Sequence, residues 1–147
     1  MSTHDDRGET LLELLIAVVI IGIAVVAIIG GLVTSVLMSD VHRKETTAGT
    51  AVRDYAEAIE NVVAAGAYVS CAGRSSYATP AGYTVPSGYA ASVTGVAYWN
   101  GTSWQSSCGT DSGLQQLTVQ VAGNDGRATE RLVIVVRKRC GLGDSLC

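Results

Sequence analysis

The stretch that decides the fold is residues 7–38, which read RGETLLELLIAVVIIGIAVVAIIGGLVTSVLM. No charged residue occurs between Leu14 and Ser39, and every residue from Leu14 to Val33 is aliphatic, Ala or Gly. About twenty helical residues at a rise of about 1.5 Å extend about 30 Å, the thickness of the hydrocarbon core of a bilayer. The stretch therefore predicts a membrane-spanning helix.

A buried core helix and a secretory signal peptide are the alternatives for this stretch. A domain of this size lacks the residues to cover a uniformly apolar helix on all sides. A signal peptide has a basic leader, a shorter apolar run and a small-residue cleavage site after it. The leader here is acidic and the run is long, so both alternatives are disfavoured.

Beyond Ser39 the sequence changes from uniformly apolar to amphipathic. Its apolar residues recur with the spacing of one helical face, at Ala48, Val52, Tyr55, Ala56, Ile59, Val62 and Val63. Charged residues fill the positions between them. Because no breaker separates the two halves, we expect one helix from about Leu11 to Ala65, ended by Gly66.

Glu13 is the residue on which a functional hypothesis depends. It lies at the N-terminal end of the predicted membrane span, where burying a carboxylate costs about 2–3 kcal/mol or more unless the charge is paired. The alternative is that Glu13 only marks the interface end of the helix, which is an ordinary position for a charge.

The segment Arg7-Gly8-Glu9-Thr10-Leu11-Leu12-Glu13, placed directly before the aliphatic run, resembles the prepilin cleavage motif of type IV pilins and type II secretion pseudopilins. By this resemblance, Gly8 is the last leader residue, Glu9 the new N-terminus and Glu13 the assembly carboxylate. The resemblance implies cleavage between Gly8 and Glu9 by a prepilin peptidase and N-methylation of Glu9. It also implies that Gly22 and Gly30 lie where such helices loosen on assembly.

The resemblance further implies an α+β fold, with the long helix packed on a small antiparallel β-sheet in a pilin-like ladle. The expected segments are a leader at 1–8, a transmembrane and assembly helix at 9–39, its amphipathic continuation at 40–65 and an extracytoplasmic β-rich domain at 66–147. Implied partners are the prepilin peptidase, other pilin or pseudopilin subunits, an inner-membrane assembly platform with its ATPase, and the lipid bilayer. The implied location is a single-pass cell membrane protein with a cytoplasmic N-terminus before processing, and then a filament at the cell surface.

Two features depart from the family pattern. Glu9 replaces the usual aromatic or aliphatic first residue and places a second carboxylate beside the new amine. The distribution of Lys and Arg about the span favours a cytoplasmic C-terminal half. The cleavage motif and the cysteines of the C-terminal half, described below, both require that half to lie outside the cytoplasm. We adopt this orientation because the charge imbalance amounts to only a few residues.

The C-terminal half carries strand signals. They lie at Tyr89–Trp99, a short return through Trp104, Leu114–Ala122 and Ala128–Arg139. Asn100-Gly101 predicts a two-residue type I′ turn, and Gly123–Gly126 a second hairpin turn. The continuous apolar run Leu132–Val136 predicts a central strand. We expect the tyrosines and tryptophans to fill a core that lacks Phe, in preference to lining a ligand surface.

Four cysteines, Cys71, Cys108, Cys140 and Cys147, lie in this half without the spacing of a zinc or redox site. They therefore predict disulfides, and hence an oxidising compartment, with no metal. Of the three possible connectivities we favour Cys71 with Cys108 and Cys140 with Cys147.

Composition disfavours several classes of function. The formal net charge of −3 disfavours nucleic-acid binding, which usually depends on an excess of Lys and Arg. The only histidines are His4 and His42, so the globular half cannot assemble a Ser-His-Asp or His-metal site, and we expect neither an enzyme nor a cofactor. Two hypotheses remain: a filament subunit, or a membrane-anchored ligand-binding or adhesin domain that does not polymerise. They differ in the role of Glu13.

Overall fold

The computed structural model describes residues 7–141, with side chains from Thr10 onward. The chain divides into two compact units between Asp40 and Val41. Helix α1, Arg7–Val62, supplies the described part of the first unit and the first element of the second. A π-helical turn, Val63–Ala67, follows it, and within this turn Gly66 adopts a φ of 105°. Only glycine adopts such a φ at little cost, so Gly66 ends the helix as predicted.

In the second unit, the amphipathic part of α1 buries the face that the sequence indicates. Ala48 and Tyr55 are fully buried, and Val52, Ile59 and Val63 are nearly so. Of these side chains, Val52, Tyr55, Ile59 and Val63 pack in one cluster with the inner face of a β-sheet. The predicted α+β arrangement, a long N-terminal helix packed on a small antiparallel sheet, is confirmed.

The sheet has four antiparallel strands in the order β2-β1-β3-β4. The strands are β1 Tyr89–Trp99, β2 Trp104–Gln105, β3 Leu114–Gly123 and β4 Thr129–Arg137. They agree with the predicted segments to within about two residues. A 3-10 turn, Arg74–Tyr77, lies in the long connection between α1 and β1.

Strand β3 is central, and the prediction that Leu132–Val136 forms a central strand was wrong. Strand β4 lies at an edge of the sheet. Its residues alternate: Ile134 and Val136 are buried, whereas Val133 and Val135 are 55% and 48% exposed. The helix covers one face of the sheet, so a continuous apolar run does not require burial on both sides.

The β1–β2 turn also differs from the prediction. Trp99 pairs with Trp104, so residues 100–103 form the loop. Among the described residues other than glycine, only Cys71 has a positive φ, which excludes a type I′ turn at Asn100. The Asn100 side chain instead accepts hydrogen bonds from the backbone N–H groups of Thr102 and Ser103, each at 2.9 Å. An Asx-type turn has replaced the backbone turn.

The β3–β4 turn at Gly123–Gly126 is confirmed. Gly126 N donates to Gly123 O at 3.0 Å, and Gly123 N donates to Ala128 O at 2.8 Å. Asp125 in this turn forms an ion pair with Lys44 of α1, with Nζ 2.7 Å from Oδ2. The ion pair links the turn to the first part of the helix in the second unit.

The aromatic residues divide between core and surface. Tyr55, Tyr77 and Tyr98 are buried. Further tyrosines pack against the core while partly exposed, namely Tyr68, Tyr83 and Tyr89. Trp99 and Trp104 form a tilted pair with ring centroids 5.3 Å apart, and Trp104 remains 37% exposed. The expectation of an aromatic core is therefore confirmed for the tyrosines and wrong for the two tryptophans, which lie outside the core cluster.

Candidate functional site

The first candidate site is the start of α1. The helix begins at Arg7 among the described residues, earlier than the predicted Leu11, so Gly8 and Glu9 belong to its first turn. Glu13 follows Glu9 by about one helical turn, and its side chain is exposed. The leader residues 1–6 lie outside the described part of the chain. The backbone thus places the predicted cleavage position and the predicted assembly carboxylate on one continuous helix.

The apolar side chains that follow Glu13 are uncovered. Every large apolar residue between Leu11 and Met38 is exposed, from 48% at Ile16 to 73% at Leu11. The helix Thr10–Ala67 contains an 18-residue window of mean hydropathy 3.2, none of it buried within the chain, and is long and apolar enough to cross a membrane. Such a surface is stable only in contact with lipid or with other apolar helices.

Gly22 and Gly30 lie within this uncovered segment of α1, which stays helical through both. A Cβ added at either position would meet no atom within 4 Å. The Thr34 hydroxyl donates to Gly30 O at 3.0 Å, a bond of the type that often bends helices. Their predicted role in helix loosening stays a prediction.

These features define a class of protein: a chain with an N-terminal helix able to span a membrane and an α+β second unit. Residues 3–29 match the family described as the prokaryotic N-terminal methylation motif, which is the signature of type IV pilins and pseudopilins. The match covers the predicted cleavage position, Glu13 and most of the apolar run. Together the motif and the apolar helix fit a membrane-anchored, pilin-like substrate of a prepilin peptidase. No curated protein and no solved structure matches the chain significantly.

In the second unit, a disulfide holds the connection between α1 and β1. Cys71 is bonded to Cys108, with Cα atoms 5.6 Å apart, as predicted for this pair. The predicted partner of Cys140 is Cys147, which lies outside the described residues, so that pairing stays a prediction. The first disulfide connects the segment after the helix to the segment between β2 and β3.

Asp111 reinforces the same connection. Its carboxylate accepts hydrogen bonds from Cys71 N and Gly113 N, each at 2.9 Å, and from Tyr68 Oη at 2.7 Å. Gln115 Nε2 is a fourth donor, at 2.6 Å. Burial alone would raise the pKa of Asp111, but these hydrogen bonds to the charged form outweigh it and lower the pKa.

Gln115 carries the network into the core. Its side chain is fully buried on β3, where it accepts a hydrogen bond from Tyr77 Oη at 2.6 Å and donates to Val69 O at 2.9 Å. Burial, followed by the charge of Asp111, raises the pKa of Tyr77 to about 12. Burial, followed by the neighbouring Tyr83, likewise raises the pKa of Tyr55 to about 12.

Cys71, Cys108 and Asp111 bring two sulfurs and a carboxylate oxygen within 4.8 Å of one another, a separation that suits a metal ion. The two sulfurs are joined in a disulfide and offer no thiolate, and the carboxylate already accepts four hydrogen bonds. A zinc site needs deprotonated thiols. Cys71, Cys108 and Asp111 therefore stabilise the fold and do not offer a metal site.

Sequence reasoning missed Asp111 and Gln115. A signal for Gln115 was present, because it precedes Leu117, Val119 and Val121 at two-residue spacing and therefore shares their inner face. Asp111 gave only the signal of a turn residue, and its partners are distant in sequence.

Proposed function

We propose that the chain is a structural subunit, a pilin or pseudopilin, of a type IV pilus-like or type II secretion-like filament. One observation carries the proposal: the methylation motif at residues 3–29 overlaps the start of a helix whose apolar side chains, from Leu11 to Met38, are not covered by the rest of the described chain. In the proposed sequence, a prepilin peptidase cuts between Gly8 and Glu9, and the amine of Glu9 is methylated.

The uncovered helix needs a partner at each stage. Before assembly, the lipid bilayer covers residues 9–39, with the leader in the cytoplasm and residues 66–147 outside it. After assembly, helices of other subunits replace the lipid, so the apolar surface stays out of water throughout. An inner-membrane platform with its ATPase supplies the work of extraction, and the product is a filament at the cell surface.

Glu13 supplies the chemistry of this exchange. It is the fifth residue counted from Glu9 and enters the apolar filament core with the helix. An unpaired carboxylate there is costly, and so is the ammonium group created by cleavage. An ion pair between Glu13 of one subunit and the new N-terminus of its neighbour neutralises both charges. Removal of either partner leaves the other charge buried and unpaired. The Glu9 carboxylate, adjacent to the same amine, is an internal competitor for this pair.

Mass spectrometry of the mature N-terminus tests the processing step. We expect the mature chain to begin at methylated Glu9. A chain that retains Met1, or one cut beyond Ala27, contradicts the proposal.

The substitution Glu13→Ala tests assembly. We expect the processed subunit to accumulate in the membrane while its incorporation into filaments is lost. Glu45→Ala is the matched control, because Glu45 is an exposed carboxylate of the same helix, near His42, and lies outside the motif. Normal assembly of the Glu13 variant would favour a membrane-anchored ligand-binding domain that does not polymerise, whose binding would not depend on Glu13.

A further inference from the structure

The β1–β2 loop combines an exposed Asn-Gly sequence with hydrogen bonds to the asparagine side chain. Asn100 and Gly101 are both exposed, and Gly101 has a φ of 99°. Asparagine is among the least durable residues in proteins, because a backbone nitrogen can attack its side-chain amide. Glycine as the following residue offers the least steric hindrance to that attack, since it has no Cβ.

The electrophile of such a reaction is activated here. Asn100 Oδ1 accepts hydrogen bonds from Thr102 N and Ser103 N, both at 2.9 Å. When a nucleophile adds to Cγ, negative charge develops on this oxygen, and two fixed N–H donors aimed at it stabilise that charge. The Asx turn that orders the loop is also an oxyanion-stabilising arrangement.

The nucleophile is available. Asn100 N donates to Ser103 O at 3.3 Å, and the N–H groups of Thr102 and Ser103 are occupied by Asn100 Oδ1. The N–H of Gly101 donates to no acceptor in the part of the chain that the structure describes. Its nitrogen therefore loses no hydrogen bond on attack.

We propose that Asn100 is a self-modifying site, which deamidates in the folded protein through a cyclic imide with Gly101. The Gly101 nitrogen forms a bond to Asn100 Cγ, and the bond from Cγ to Nδ2 breaks. Nδ2 leaves as ammonia and takes up the proton lost by Gly101. Water then opens the ring at either carbonyl, giving aspartate or isoaspartate. The net reaction consumes one water and releases one ammonia, without an oxidant or reductant.

The product changes the loop in two ways. Residues 100–110 contain no charged side chain, so each conversion places one carboxylate in an uncharged segment that follows Trp99 and contains Trp104. Ring opening to isoaspartate also moves a carbon into the backbone, which disturbs the register of the adjacent tryptophan pair. The modification thus marks old copies of the protein at a defined exposed position.

Two asparagines in the same chain are internal controls. Asn124 lies in the β3–β4 turn and precedes Asp125, which has a Cβ, and Asn61 lies within α1, where the next N–H is part of the helix. The test incubates the full folded chain in detergent at mildly alkaline pH and measures conversion at each site by peptide mass spectrometry. Chymotryptic cleavage at Trp99 and Trp104 isolates Asn100 from Asn124. A parallel sample unfolded in denaturant shows that the assay detects conversion.

We expect Asn100 to convert at least about tenfold faster than Asn124 in the folded chain, which corresponds to a barrier lower by about 1.4 kcal/mol. Both aspartate and isoaspartate should form, with ammonia released in equal amount. Gly101→Ala should slow the reaction, and Asn100→Ser, which keeps a side-chain acceptor for the turn, should abolish it. If Asn100 converts in the unfolded chain but no faster than Asn124 in the folded chain, the loop protects the residue and the proposal is wrong.

Discussion

The hydroxyl of Tyr77 donates a 2.6 Å hydrogen bond to Oε1 of Gln115, whose side chain is fully buried on strand β3. Gln115 Nε2 in turn donates to Val69 O and to the Asp111 carboxylate. One amide thus connects the central strand, the 3-10 turn and the segments on both sides of the disulfide. A buried polar group of this kind stabilises a fold only while all its partners are present.

Replacement of Gln115 should therefore be costly. Gln115→Ala leaves Tyr77 Oη without its acceptor and removes one donor each from Asp111 and from Val69 O, which keeps its hydrogen bond from Ala72 N. We expect a loss of about 2–4 kcal/mol in the free energy of unfolding. Urea unfolding of the full chain in detergent, followed by tryptophan fluorescence, measures it. Gln116→Ala is the matched control, because Gln116 faces the other side of β3 and should change stability little. Equal losses from both variants would contradict the assigned role.

Removal of the Cys71–Cys108 disulfide should also destabilise the second unit. The bond closes a loop with a sequence separation of 37 residues. In the chain-entropy model this corresponds to about 4 kcal/mol, and the double variant Cys71→Ala/Cys108→Ala should lose a comparable amount. The measurement compares its urea midpoint with that of the wild-type chain. An unchanged midpoint would show that the four hydrogen bonds of Asp111 hold the connection without the disulfide.

Stability at acid pH should depend on Asp111. Its pKa is lower in the folded chain than in the unfolded chain, so the ionised carboxylate stabilises the fold above the unfolded value of about 4. That contribution disappears as the pH falls through the lower, folded pKa. When the pH is lowered beyond about 4, we expect the thermal unfolding temperature of the wild type to decrease. The unfolding temperature of Asp111→Asn, which is destabilised at neutral pH, should change less over the same range. Asp54→Asn, at an exposed helix position, should retain the acid dependence of the wild type.

Stability at alkaline pH should depend on the buried tyrosines. The pKa values of Tyr55 and Tyr77 are raised to about 12. A group whose folded pKa is raised stabilises the protein below its unfolded pKa, about 10 for tyrosine, and this contribution is lost as the pH rises toward 12. Tyrosinate absorbance should show tyrosines that ionise well above pH 10, at the same pH at which the fold is lost. Tyr55→Phe should remove one such tyrosine, and titration of every tyrosine near pH 10 would refute the assignment.

Sequence patterns were sufficient for the helix and for the positions of the strands. The period of the residues from Ala48 to Val63 fixed the buried face of α1, and turn residues separated the strands. Hydrophobicity was insufficient for strand order, because the run Leu132–Val136 has the composition of a central strand but lies at an edge. Order depends on which strands pair across the sheet, and that information is not local.

The candidate site divides in the same way. The motif from Gly8 to Glu13 is a local pattern, and it was read from the sequence without a structure. The Asp111 and Gln115 network joins residues about 40 positions apart, such as Gln115 with Tyr77, so only the folded chain brings it together. The prediction of a type I′ turn at Asn100 was wrong for another reason. Hydrogen bonds accepted by Asn100 Oδ1 competed with the backbone turn that the Asn-Gly dipeptide favours.

The order of the elements along the chain has a consequence for synthesis. The inner face of α1, centred on Tyr55 and Ile59, packs in one cluster with side chains of β3 and β4, the last strands to be made. A nascent chain that stops before Leu114 therefore carries the uncovered apolar segment of α1 and a second apolar face that lacks the part of its cover from β3 and β4. Quality-control proteases recognise uncovered faces of this kind, so incomplete translation products should be degraded.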